Sequence, residues 1–256
     1  MTRAMTALRI VDTGLKPARW NIAATAALME LHRVGATPET IRFHRYPRSV
    51  LIGRSQNLAQ EIDVERCRRD GVEIARRVTG GGAVYMSPSI LAWDIVTGRA
   101  RFRGSVEEVA RQINAAVAAG LWRLGCLAEV NAQGAVEIDG RKVSGSSGGF
   151  DGATMIMQGT ILIDFDHDEM ASLLKSRSNA AATPVTSLAD RLGRAPPIAE
   201  VQAALLAELR DVWDGASVAS ALRADELVLA NTLLAAEIGT DEFVMGTPAK
   251  HERASA

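Results

Sequence analysis

The sequence predicts an α+β fold: a mixed, largely antiparallel sheet with helices on its faces. Short apolar runs rich in Val, Ile and Leu recur between helical segments without a strict strand–helix alternation. Apolar residues make up 47% of the 256-residue chain and charged residues 23%, so a sizeable core can be buried. The two clearest helical patterns each keep one apolar face, as helices lying on a sheet do.

Residues 8–12 read as a short strand. Trp20, Ala23, Ala24, Ala27, Leu28 and Leu31 fall at helical spacing up to Val34, and Thr37-Pro38 stops that helix. Strands follow at 41–46 and 50–52, separated by a turn at Pro47. Asp63 is placed to cap a small helix ending near Gly71. Val72 and Ile74, then Ala83 to Tyr85, read as strand on either side of a glycine loop, and 91–96 is a further strand. Ser105-Val106-Glu107-Glu108 is a capping box, in which hydroxyl and carboxylate each satisfy an orphan backbone amide. The helix it opens runs to about Leu124, with Val106, Val109, Ile113, Val117 and Leu121 on one face. Strands at 136–138 and 155–163 surround a Gly/Ser-rich loop at 140–152, and Asp166 to Glu169 caps a short helix through Leu174. Residues 176–187 read as a mobile loop and candidate lid. Pro196-Pro197 precedes a helix to about Trp213, Asp225 precedes another to Glu237, and the tail after Gly246 is expected to be disordered. No internal repeat is visible.

The bulk numbers exclude several classes. A net charge of −1 argues against a general nucleic-acid binder. No apolar run reaches the roughly 18 residues of a membrane span, and Met1 to Leu8 lacks the apolar core of a secretory signal. Cys67 and Cys126 are far apart and form no metal-ligand spacing; buried thiols in a reducing cytoplasm are expected. Four scattered histidines indicate no zinc site.

Two stretches ask for a chemical explanation. The first runs from Ile74 to Tyr85. Arg76 and Arg77 offer planar forks suited to carboxylate or phosphate oxygens. Gly80, Gly81 and Gly82 let a ligand approach the main chain, where their amides can converge on an anion. No Gly-Lys-Ser/Thr follows, so this is not a P-loop, and contiguous glycines with no helix after them are not a dinucleotide fingerprint. A glycine hairpin beside solvent-exposed arginines is the plain alternative. The second stretch is Gly140 to Gly149. Lys142 among Gly and Ser can set a compact charge against an oxyanion or phosphoryl oxygen, with Ser144, Ser146 and Ser147 as donors. A flexible hairpin with a solvated lysine is its alternative. Neither a lone Ser nor His167 has the partner of a hydrolase triad.

The segments Val50–Asn57, Arg76–Val84, Gly140–Ser146 and Gln158–Leu162 resemble lipoate–protein ligases in order and spacing, and Trp20-Asn21-Ile22-Ala23 looks like that family's opening helix motif. The resemblance spans about residues 8–190. It implies the catalytic-domain fold shared by class II synthetase-like biotin and lipoate ligases, over residues 1–215. Residues 216–256 are then a short helix and tail in place of an accessory domain, whose work either a separate subunit or the 216–246 segment itself would do. It implies a cytoplasmic enzyme with ATP, Mg²⁺ and lipoate or octanoate as reactants. An acyl-adenylate forms first, and the acyl group then passes to a lysine of a lipoyl carrier protein or lipoyl domain.

On that resemblance Lys142 is the catalytic residue, contacting carboxylate and phosphate oxygens. Arg77, Thr79, Gly80, Gly81, Gly82, Ala83 and Val84 hold the adenylate; Thr79, Ser144 and Ser146, with Gly145, add hydrogen bonds. Gly53 and Gln56 line the acyl tunnel or its mouth, and Gln158, Gly159 and Thr160 complete the site. Val84, Ile161 and Trp93 are suited to covering the C8 chain, at about 0.8 kcal/mol per buried methylene. The chain departs from the family pattern at Gly134-Ala135, where an Asn-Asp pair helps hold phosphates and metal, at Ile90 in place of an Asn, and at Gln158 in place of a His. Two other readings stay open. One is an octanoyltransferase with a thioester on Cys126, sixteen residues before Lys142; against it, that subgroup carries Arg at its third glycine. The other is a non-catalytic binder of a lipoyl group or carrier. The biotin-loop motif of biotin ligases is absent from the sequence.

Overall fold

A computed structural model describes residues 8–102, 104–175, 184–213 and 217–246. Its strands are β1 (Leu8–Leu15), β2 (Thr40–Arg45), β3 (Ser49–Ile52), β4 (Glu73–Arg76), β5 (Val84–Met86), β6 (Ile90–Gly98), β7 (Glu129–Val130), β8 (Val136–Ile138), β9 (Arg141–Asp151), β10 (Thr154–Leu162) and β11 (Ser217–Ser220). The helices are α1 (Ala18–Arg33), α2 (Leu58–Glu61), α3 (Val64–Arg69), α4 (Val106–Arg123), α5 (His167–Leu173), α6 (Leu188–Leu192), α7 (Ile198–Val212), α8 (Ala224–Leu233) and α9 (Asp241–Met245). The expected caps are in place. Asp63 accepts from the Arg66 amide, Asp166 from the Glu169 amide, and Ser105 with Glu108 forms the reciprocal box of α4.

The main sheet runs β11-β1-β2-β6-β10-β9-β8-β7. β1 is parallel to both β11 and β2; the remaining pairs are antiparallel. A second sheet has β3 at its centre, parallel to β4 and antiparallel to β5. One core lies between the main sheet and α4 and α7, built from Trp93, Ile113, Val117, Leu121, Met155 and Leu205. A second joins α1 to the small sheet through Ile22, Val50, Ile52, Met86 and Leu162. Each such side chain contributes about 1.5–3 kcal/mol on burial.

Three expectations change. The Gly/Ser-rich 140–152 segment is not a loop: Arg141–Asp151 is an eleven-residue strand that pairs with β10 from Ser144 to Asp151. Here the glycines serve close packing, since a Cβ on Gly148 would lie 2.4 Å from the Ile156 carbonyl oxygen. The 80–82 glycines do not form a hairpin either, because β4 and β5 flank β3 and the connection crosses the end of β3. Finally, 217–246 is more than a helix and tail. β11 extends the main sheet, Ile238 and Val244 enter the second core, and buried Glu226 pairs with Arg9 at 2.6 Å. Of the candidate lid, 176–183 lie outside the described residues, as does the tail after Gly246. Residues 184–186 are pinned to β9, where the Lys142 amide donates to the Pro184 carbonyl and the Thr186 amide to that of Lys142.

Candidate active site

The glycine loop is shaped from below by arginine. Arg77, 7% exposed, donates from Nη1 to the Leu51 carbonyl and from Nη2 to the carbonyls of Gly80 and Gly82, at 2.8–2.9 Å. With the carbonyls turned inward, the Gly80, Gly81 and Gly82 amides meet no acceptor among the described residues. Gly81 takes φ of 91°, a conformation glycine reaches without a Cβ clash. Gly53 follows β3 directly beneath, where a Cβ would fall 2.1 Å from the Gly81 oxygen. The Gly53 amide donates to Gln56 Oε1 at 2.8 Å, so both residues set the loop's floor.

Neither arginine is solvent-exposed, and neither presents the open fork for an anion that the sequence suggested. Arg76 donates to the carbonyls of Gly53, Arg54 and Gln56 on one side and of Phe243, Val244 and Gly246 on the other. Its planar, multidentate guanidinium fastens the end of α9 to the loop that follows β3. Arg77 gives the cup its shape and a buried positive charge; both of its terminal nitrogens are already bonded to carbonyls.

Lys142 stands on β9, half-buried, with Cε and Nζ 2.6 Å from where a Cβ on Gly145 would be. Loss of hydration holds its ammonium below the ordinary lysine range, and the Arg77 charge pushes the same way against a smaller opposing pull from Glu137. The Arg77 charge weighs more on Lys142 than the Glu137 carboxylate does, an imbalance an anion would relieve. Ser147, also on β9, sits against the glycine loop, its Cβ 3.4 Å from the point a Cβ on Gly81 would occupy.

The hydroxyls play different parts from those expected. Thr79 donates to Gln158 Oε1 at 2.7 Å. Ser144 is fully buried with no partner among the described residues. Ser146 accepts from Asn114 of α4 at 2.8 Å, and the same amide donates to the Gly134 carbonyl. Ala83 and Val84 are half-buried at the start of β5, and Gly159 and Thr160 lie at the centre of β10. Ile161 and Trp93 are wholly buried in the main core, with the Trp93 ring filling the space above Gly159.

Sequence reasoning missed the layer under Gln158. Asp94 of β6 accepts from Gln158 Nε2 at 2.7 Å, from Thr25 at 2.8 Å and from Arg42 at 2.6 and 3.0 Å, all out of water. Burial opposes the Asp94 charge, but Arg42, His44 and these donors outweigh it and hold the carboxyl below its usual range. The signal was a lone Asp in the apolar run Leu91–Val96 and Arg42 near the start of the strand segment Ile41–Tyr46, facing one another across a strand pair.

The described residues do not form a metal cage of their own. Among the described residues no three His, Cys, Asp or Glu side chains gather to hold a metal, and Gly134 and Ala135 bring no carboxylate.

Residues 17–210 match the model of the lipoyl protein ligase A/B catalytic domain. The chain belongs to that family. A crystal structure of lipoate-protein ligase A bound with ATP superposes with a TM-score of 0.84 at 25% identity, covering 94% of this chain and 100% of that one. The structure of Thermoplasma acidophilum protein Ta0514 with bound lipoic acid gives 0.80 at 25% identity over 94% and 98%. Among curated relatives, octanoyltransferase LipM of Symbiobacterium thermophilum is 27% identical over 93% of this chain and 97% of its own length. Lipoate-protein ligase A subunit 1 of T. acidophilum is 29% identical over 61% and 63%. Lipoate ligases and octanoyltransferases thus both stand among this family member's relatives. No helix among the described residues is long and apolar enough to cross a membrane.

Proposed function

We propose that this protein activates lipoate or octanoate with ATP as an acyl-adenylate and passes the acyl group to a lysine of a lipoyl domain or carrier protein, in the cytoplasm. The observation that carries the reading is the set of three unbonded glycine amides with the Lys142 ammonium and the buried Arg77 charge nearby. A carboxylate is a poor acyl donor until a good leaving group is attached. Joining it to a nucleotide brings two anions together, and preorganised donors in a water-poor site favour that transition state. Lys142 would sit on the carboxylate and phosphate oxygens, the glycine amides on the phosphate, and Arg77 would add charge from beneath. Metal would arrive with the nucleotide, held by phosphate oxygens and water.

The thiols support the ligase over the transferase. Cys126 is 3% exposed in the main core, and burial pushes its thiol up from the ordinary range; Cys67 is fully buried and pushed up to about 11. A thioester needs an accessible thiolate. The LipM relatives keep the transferase as the second reading.

Purified protein with ATP, Mg²⁺, lipoate and a lipoyl domain is expected to add one lipoyl mass to the domain. Acyl transfer from an octanoyl carrier protein without ATP, abolished by Cys126→Ser, would establish the transferase instead. A T. acidophilum relative is described as a bi-partite ligase with its E2 lipoyl domain, so the assay is run with and without an added accessory subunit.

A further inference from the structure

The hydrogen bonds beneath the glycine loop have a direction that donor chemistry alone fixes. Asp94 is ion-paired with Arg42 at 2.6 Å and accepts from every neighbour it touches. A carboxylate has no hydrogen to give, so the Gln158 atom 2.7 Å away is its NH₂ nitrogen. The opposite end of the same amide is then a carbonyl oxygen, and it faces Thr79 Oγ1 at 2.7 Å. An amide oxygen only accepts, so the Thr79 hydroxyl hydrogen points down into the protein. What remains on Thr79 is lone pairs. Ser147 Oγ lies 3.5 Å from Thr79 Oγ1, and with the Thr79 hydrogen committed to Gln158 only Ser147 can donate in that contact. Two hydroxyls that read in sequence as donors for an anion are therefore set as acceptors.

This matters because the rest of the cup offers donors, three amides and an ammonium, over the buried charge of Arg77. With its hydrogen held by Gln158, Thr79 has only lone pairs to offer at the edge of the cup, and Ser147 likewise while it donates to Thr79; such a pair suits a group carrying N–H rather than carboxylate or phosphate oxygens.

Resting on the acyl-adenylate reading above, we propose that Thr79 and Ser147 receive the N–H of the carrier lysine's amine, and that Gln158 is the positioning residue that makes them acceptors. The amine nitrogen forms a bond to the acyl carbon as the carbon–oxygen bond to the phosphate breaks. AMP leaves with that electron pair, and the surplus amine proton passes to solvent. The hydroxyls hold the amine for attack and take no proton, being far too weakly basic. A histidine in the place of Gln158 has one N–H and one acceptor in its neutral form, so its tautomer would choose the direction; an amide locked by Asp94 cannot reverse it.

The test supplies synthetic lipoyl-AMP, which separates transfer from activation, to wild type, Thr79→Val, Thr79→Ser, Ser147→Ala and Gln158→Leu. Single-turnover transfer to a lipoyl domain is measured alongside lipoyl-AMP affinity. Thr79→Val and Gln158→Leu are expected to slow transfer at least tenfold, with lipoyl-AMP Kd moved less than threefold; Ser147→Ala is expected to slow it about threefold, and Thr79→Ser to keep near-wild-type rates. Near-normal transfer by Thr79→Val, or a loss of lipoyl-AMP affinity matching the loss of rate, overturns the proposal. If wild type binds lipoyl-AMP but modifies no lipoyl domain, the acyl-adenylate reading itself fails and this inference goes with it.

Discussion

The charged end of Lys142 occupies the space that a side chain on Gly145 would take, 2.6 Å from the missing Cβ. The two residues are three apart on β9, so the glycine that seemed to loosen this segment instead makes room for the lysine to lie back along its own strand. Gly145→Ala should therefore leave the fold intact, because the obstructing atoms are the far end of a flexible side chain. The ammonium would be moved by about an ångström or more, which can cost on the order of a hundredfold in rate. Pyrophosphate release with lipoate and ATP is expected to fall at least tenfold while the melting temperature changes by less than about 3 °C. Loss of stability without loss of rate would mean that Lys142 is structural.

Arg76 is the next test. It bridges the loop after β3 to the end of α9 and is 4% exposed. Arg76→Ala would leave six carbonyls short of a donor, and hydrogen bonds from a charged group contribute about 1.5–3 kcal/mol each. With partial rehydration of the carbonyls, a loss of about 3–5 kcal/mol is expected from urea unfolding. Native-state proteolysis near Phe243 should also become faster, which a general core defect would not favour at that site. Arg76→Lys should recover little, since an ammonium cannot span both sets of carbonyls.

What could be seen in the sequence follows from how local each cause is. Capping boxes, helix faces and the Asp63 cap depend on residues within one turn, and all are legible. So is the glycine stretch, because three adjacent residues without side chains have few uses. The strand at 141–151 is not, since Gly and Ser have poor strand propensity and only pairing with β8 and β10 holds them extended. The two arginines mislead for a related reason. Their type announces an anion, but main-chain carbonyls take the bonds: for Arg76 all six lie at least twenty residues away, and for Arg77 they are that of distant Leu51 and those of Gly80 and Gly82 in the neighbouring loop. Cys126 reads as a buried thiol and is one. The direction of the Thr79–Gln158 bond could not be inferred without knowing that Asp94 lies behind it.

The buried pair at the heart of the main sheet predicts an acid-sensitive fold. Burial and the Arg42 charge push His44 down to about 3, against a weaker opposing pull from Asp94, and Tyr46 lies 3.1 Å from its Nε2. The native state keeps this ring neutral while the unfolded chain binds a proton below its ordinary value of about 6.5. His44 therefore has no effect on the pH dependence of stability above about 6.5. Stability should fall as pH drops from there towards 3, by about 1 kcal/mol per pH unit. Asp94 adds its own loss only lower, as pH falls below the ordinary aspartate range towards its depressed native value. Urea midpoints between pH 7 and 4.5 should drop in wild type, and the slope should be shallower in His44→Phe whatever that variant's absolute stability. Equal slopes would mean that His44 titrates normally.

Gly159 gives a prediction that separates packing from chemistry. It pairs with Trp93 across β10 and β6, and a Cβ there would sit 2.1 Å from the indole Cζ2. Trp93 is 0% exposed and enclosed by the main core, so the ring cannot swing away as the end of a lysine can. Overpacking of this kind costs about 1–3 kcal/mol, more where the neighbour cannot move. Gly159→Ala alone should lose about 3 kcal/mol in urea unfolding. Trp93→Leu alone should lose a similar amount by leaving a cavity. In the double variant the added methyl meets a smaller neighbour, so the combined loss should be at least 1 kcal/mol less than the sum of the two. Simple additivity would mean that the strand shifts to accept the methyl, and that the glycine beside Gln158 is not held there by the tryptophan.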